Sequence, residues 1–151
     1  MMEALKSTGK YEVSAGVKQK ILETFWGGFC DDDDTLDEIN RVFRETSYVM
    51  DTHTAVAKRV LNQYAAETGD TTKTVICSTA SPFKFSDSVL TAIKGAPETG
   101  DAFTQLDELA ETAQASIPKS LAELKTKPVI FRTTCEKDEM VDVVSQMLNL
   151  A

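Results

Sequence analysis

TVICSTASPFKF, residues 74–85, changes character at its midpoint. Thr74 to Cys77 is a continuous apolar, β-branched run, the pattern of a short strand buried on both faces. Ser78 and Thr79 end it abruptly. Ser81-Pro82 then reads as the N-cap and first residue of a new helical turn. Val89, Leu90 and Ile93 carry that helix to Gly95, which stops it. Small hydroxyl residues at the end of a buried strand have two readings. They form an ordinary Ser/Thr turn, or they contact a ligand, because open α/β sheets bind ligands beyond the carboxyl ends of their strands.

On the N-terminal side, MMEALKS at 1–7 has helical spacing with no cap before it, so it reads as the middle or end of a helix. Tyr11 to Val13 is a candidate strand. Ser14 caps a helix carrying Val17, Ile21, Leu22, Phe25 and Trp26, which Gly27-Gly28 stops. In CDDDDT, residues 30–35, Thr35 and Glu38 have capping-box spacing, and the aspartates suit a helix N-terminus. No glycine and glutamate fall where a calcium loop needs them. Asp51 opens the next helix, with a stripe of Val56, Val60, Leu61 and Tyr64, and Gly69 closes it.

Beyond Gly95, residues 96–102 form a loop, and Phe103, Leu106 and Ala110 mark another helix. Ser120 and Glu123 fit the cap of a short one. Pro128 to Phe131 reads as a further strand, and Met140, Val141, Val144, Met147 and Leu148 as the last amphipathic helix. Alternation of strands and helices predicts an α/β fold, a helix-rich partial parallel sheet within one domain over 1–151. Two or three strands leave such a sheet without neighbours on its edges. The chain is therefore expected to be part of a longer one.

The 151 residues suffice for one modest core. No window approaches the ~18 apolar residues of a membrane span, and the N-terminus lacks a signal-peptide pattern. A soluble, cytoplasmic protein is expected. The net charge of −8, without a basic patch, argues against nucleic acid. Cys30, Cys77 and Cys135 have neither even number nor CxxC spacing, so three reduced, mostly buried thiols are expected and no metal site. Ser81-Pro-Phe-Lys84 matches S-x-x-K, but the SDN and KTG motifs of penicillin-recognising enzymes are absent in usable form. No phosphate-binding glycine loop is present. His53 is the one histidine; in DTHTAVA it fits packing, capping or catalysis.

Three pieces, GKYEV at 9–13, DTHTAVA at 51–57 and STASPFKF at 78–85, resemble the C-terminal part of threonine synthase, in the same order and over most of the chain. The third is close to the family form [ST]-A-[HS]-P-x-K-F and the second to D-P-H-T-A-V-A. Thr52 stands where proline is usual, and Ser81 where some members carry histidine. The resemblance implies a fold-type-II enzyme that uses pyridoxal 5'-phosphate to convert O-phosphohomoserine and water to threonine and phosphate. It implies that Thr79 faces the pyridine nitrogen of the cofactor, with Ser78 beside it. It makes Lys84 a candidate for an anionic group of the substrate. His53 and Thr54 would sit at a helix start near the active site, with His53 a candidate substrate contact or a structural residue.

The family's cofactor-binding lysine and glycine-rich phosphate loop lie upstream in its members, and this chain has no counterpart; Lys58 and Lys73 lack the motif. The resemblance thus implies a C-terminal fragment without catalytic residues of its own, inactive alone, whose partner is the missing N-terminal part. Exposed apolar surface would favour self-association. Two other readings stand beside it: a free-standing binding module of the same descent that has lost the cofactor, or another fold-type-II lyase.

Overall fold

Helix starts in this chain are set by short side-chain oxygens. The computed structural model describes residues 2–150. After α1 (Met2–Thr8), the Ser14 hydroxyl accepts from Val17 N at 3.4 Å and opens α2 (Ala15–Leu22). Asp31 accepts from Asp34 N at 2.8 Å and opens α3 (Asp32–Thr46). Asp51 opens α4 (Thr52–Thr68). Ser81, with Pro82 behind it, opens a 3-10 turn (Pro82–Phe85) that runs into α5 (Ser86–Lys94). Asp101 accepts from Thr104 N at 2.7 Å and opens α6 (Ala102–Ala113). Each oxygen satisfies a first-turn N–H that the helix leaves without a partner. Gly69 and Gly95 end α4 and α5 at φ of 69° and 93°, where a side chain would be strained.

The core forms where α3 meets α4 and α5, and where α5 meets α6. Ile39, Ala55, Val89, Leu90 and Leu109 are fully buried, joined by Val42, Leu106 and, from the connections, Met50 and Phe83. Polar bonds fix the same contacts. Asn40 Nδ2 donates to the Ala92 carbonyl at 2.6 Å, tying α3 to α5. Lys94 Nζ lies 2.7 Å from Glu108 Oε1, tying α5 to α6.

Glu38 is the buried charge between α3 and α4, only 1% exposed. It accepts from Arg41 at 2.6 Å and from Asn62 Nδ2 of α4 at 3.0 Å. Burial pushes its carboxyl upward. The Arg41 guanidinium, with help from Lys58 and Asn62, outweighs burial and leaves it below the usual glutamate value.

The expected α/β fold is not what forms. Among the described residues there is no strand, and every regular element is helical. Tyr11–Val13, Thr74–Cys77 and the stretch 128–131 are irregular. Val75 is 84% exposed and Phe131 also 84%, so these runs are not buried on two faces. The physical reason is pairing. A β-prone run becomes a strand only when a second run meets its N–H and C=O groups. Here no second run meets them among the described residues, and the segments stay irregular.

The chain divides into two compact units, Met1–Pro118 and Lys119–Ala151. The second holds α7 (Lys119–Ala122), two 3-10 turns and α8 (Met140–Met147). Glu136 and Glu139 form a reciprocal capping box ahead of α8, whose Met140, Val141, Val144 and Met147 are exposed. No helix among the described residues is long and apolar enough to cross a membrane. Cys77 and Cys135 are exposed and Cys30 is half-buried, all three as free thiols.

Leu109→Ala should cost about 2–5 kcal/mol by emptying a fully buried site, read as a fall in the urea midpoint. Glu38→Gln should cost about 1–2 kcal/mol at neutral pH. Because the folded Glu38 carboxyl titrates below its unfolded value, its stabilisation is complete above the ordinary value of about 4.3. It is lost as pH falls through the folded value. Urea melts from neutral to acid pH should show the gap between the two proteins closing at the acid end.

Candidate functional site

Asp51 collects three donors and an imidazole nitrogen around one buried carboxylate. Its residue is 1% exposed. Oδ1 accepts from the backbone N–H of His53 at 2.9 Å and of Thr54 at 3.3 Å, and lies 3.2 Å from His53 Nδ1. Oδ2 accepts the Thr54 hydroxyl. Thr54 Oγ1 is in turn 3.2 Å from Ser78 Oγ. Threonine has one hydroxyl hydrogen, and an ionised carboxylate only accepts. The Thr54 hydrogen is therefore committed to Asp51, and the Ser78 hydrogen closes the contact between the two hydroxyls.

The turn after α4 brings Ser78 to this place. Beyond Gly69, Asp70 accepts from Thr72 N at 2.8 Å and from the Tyr64 hydroxyl at 2.7 Å. The Thr72 hydroxyl and N–H, then the Tyr64 hydroxyl, hold the Asp70 carboxyl down to about 2, and the same contact with Asp70 pushes the Tyr64 phenol up. Residues 74–77 run back along α4 and deliver Ser78 to its N-terminus.

His53 is 60% exposed in its side chain. Its ring lies against Phe85, centroids 4.9 Å apart at 56°. The 3-10 turn is thus tied to the same helix start. Of the four residues expected from sequence, His53 and Ser78 meet here through Asp51 and Thr54. Thr79 follows Ser78 and is exposed. Lys84 precedes Phe85 and is exposed; its backbone N–H donates to the Ser81 carbonyl at 3.0 Å. No described contact ties the Thr79 or Lys84 side chain to Asp51. Sequence reading found Asp51 only as a helix cap. Its D-x-x-T spacing carried the local half of the network, but nothing in the spacing points to Ser78, 24 residues beyond Thr54.

An open cavity of about 640 Å³ flanks α4. Val60, Leu61 and Tyr64 face Phe25, Trp26 and Ile76 across it. The expected stripe of α4 is thus only half-buried. Trp26 meets Tyr64 edge-on at 5.5 Å. Gly28 passes so close that an added Cβ would stand 2.9 Å from the Trp26 ring and 3.0 Å from Val60. Its role is close approach, whereas α2 already ends at Leu22. Among the described residues no cluster of three or more His, Cys, Asp or Glu is arranged for a metal.

A crystal structure of pyridoxal-phosphate-bound threonine synthase from Brucella melitensis superposes with a TM-score of 0.56 at 28% identity, covering 76% of this chain and 23% of that one. Threonine synthase-like 1 of Homo sapiens is 28% identical over 94 residues, 62% of this chain and 12% of that protein. The Macaca fascicularis protein of the same name is 27% identical over 94 residues. The chain thus spans about an eighth of the length of these curated relatives. The profile of the family described as threonine synthase, C-terminal, matches residues 54–146, more than half of the 151; the chain belongs to that family.

Proposed function

We propose that this chain is the C-terminal part of a threonine synthase, an enzyme that uses pyridoxal 5'-phosphate to turn O-phosphohomoserine and water into threonine and phosphate. In this reading it forms one wall of the cofactor site and works in the cytoplasm. The rest of the enzyme, with its cofactor-binding lysine and phosphate loop, comes from preceding chain. The observation that carries the reading is the Asp51–Thr54–Ser78 network beside exposed Thr79, in a chain of this family.

The residues present fit a pyridine ring. Asp51, the carboxylate linked to Ser78 through Thr54, is buried and already accepts two backbone N–H groups and the Thr54 hydroxyl. What this wall offers outward is hydroxyl oxygen without formal charge. A neutral hydroxyl contacts a ring nitrogen without forcing a proton onto it, whereas a carboxylate would. Ser78 has its hydrogen turned toward Thr54, so Thr79 is the donor to the ring nitrogen. When bound, the cofactor supplies the electron sink that lets phosphate leave and water add. Lys84 offers a cation on the adjoining turn for an anionic group of the substrate.

Phe29, Val75, Val129, Ile130 and Phe131 are each at least 68% exposed. That much apolar surface supports the view that further protein covers it in the complete enzyme. Supplied with pyridoxal phosphate, the 151-residue chain should release no phosphate from O-phosphohomoserine, and the longer protein should. Thr79→Val in the longer protein should lower kcat at least about tenfold and leave the cofactor's visible absorbance in place; unchanged turnover would sink the assignment of Thr79. In sedimentation velocity, the isolated chain should self-associate as its concentration rises.

A further inference from the structure

The Asp51 carboxylate controls a second side chain besides Thr54. We propose that Asp51 is a positioning residue that holds His53 as its Nδ1–H tautomer, leaving Nε2 as a standing hydrogen-bond acceptor for a ligand O–H at the edge of the site. The functional meaning rests on the reading above and deepens it: the O–H belongs to water or to the monoprotonated form of the substrate's phosphate monoester.

The argument is one of matching lone pairs. Asp51 Oδ1 lies 3.2 Å from His53 Nδ1. An ionised carboxylate has no hydrogen to give. Were Nδ1 the bare nitrogen, two lone pairs would face each other at hydrogen-bond distance. With the hydrogen on Nδ1 the contact becomes a charge-assisted bond. Thr52 Oγ1, 3.4 Å from the same nitrogen, then serves as a second acceptor. The carboxylate cannot swing away to relieve the alternative. The backbone N–H groups of His53 and Thr54 hold Oδ1, and the Thr54 hydroxyl holds Oδ2. Phe85 fixes the ring from the side. No described group bonds Nε2, and most of the His53 side chain is open.

His53 is the chain's single histidine, so nitrogen NMR of the 151-residue protein reads one imidazole without assignment. At about pH 9, where an imidazole is neutral, the wild-type ring should carry its hydrogen on Nδ1. Asp51→Asn keeps an oxygen where the two backbone N–H groups require one, and should keep that tautomer. Asp51→Ser remains a good helix cap but does not reach the ring, and should shift the ring toward the Nε2–H form that free imidazole prefers. Thr54→Val removes the hydroxyl from Oδ2 and with it the branch to Ser78, but leaves both backbone N–H groups on Oδ1, and should leave the tautomer unchanged. A wild-type ring protonated on Nε2 overturns the proposal, as does an Asp51→Ser ring still protonated on Nδ1.

In the longer, cofactor-loaded enzyme, Asp51→Ser should impair turnover at least about tenfold, and Asp51→Asn should restore most of it. A fall confined to kcat assigns the O–H to water; a rise in KM assigns it to the phosphate monoester. Unchanged kinetics in Asp51→Ser overturns the functional half. The tautomer measurement uses neither cofactor nor substrate, so it stands or falls apart from the threonine synthase reading.

Discussion

A buried carboxylate at the start of α4 holds together what the rest of the site depends on. Burying an isolated charge is costly, and the cost falls when hydrogen bonds replace the lost water. Asp51 meets that condition almost within its own turn: two backbone N–H groups, one hydroxyl and one imidazole nitrogen, all from His53 and Thr54. The positive end of the helix adds to this. The cap is thus self-sufficient, and Ser78 and Phe85 are recruited to it afterwards, through Thr54 and His53. One side chain terminates a helix, anchors a returning segment and orients a ring.

The helices around it divide their work. The contacts of α3 with α4 and α5, and of α5 with α6, bury the apolar core. That core leaves α4 with one flank spare. Ala55 is buried against α3, whereas Val60, Leu61 and Tyr64 line the open cavity. Buried Glu38 and its bond to Asn62 fix how α4 lies on α3. The N-terminus of α4 therefore gains its position from one face of the helix while the opposite flank stays available.

What could be read from the sequence was what is local. Ser14, Asp51 and Ser81 were legible as caps and Gly69 and Gly95 as stops, because each acts within four residues of itself. Thr35 was misread as a cap because CDDDDT offers several oxygens in register; Asp31 takes the role, and the Thr35 hydroxyl bonds back to the Asp31 carbonyl at 2.7 Å. The strands were misread for a different reason. Apolar, β-branched composition describes what a segment would do beside a partner, and pairing is decided by residues far away in the chain. The half-buried stripe of α4 failed in the same way: periodicity locates an apolar face but does not say whether anything covers it.

Ser78 reaches Thr54 by a route the strand reading did not contain. Ser78 and Thr79 were picked out as the carboxyl end of a strand. In the structure the Asp70–Thr72 turn sends the chain back along α4, and Thr54 meets Ser78 there. The two routes differ in what they make Ser78 do. At a bare strand end its hydroxyl hydrogen would be free to serve a ligand. Tied to Thr54, whose own hydrogen belongs to Asp51, it faces inward. The same carboxylate makes Nδ1 of His53 a donor and so turns Nε2 outward as an acceptor. What the rim of this helix start turns outward is thus set by the charge buried behind it.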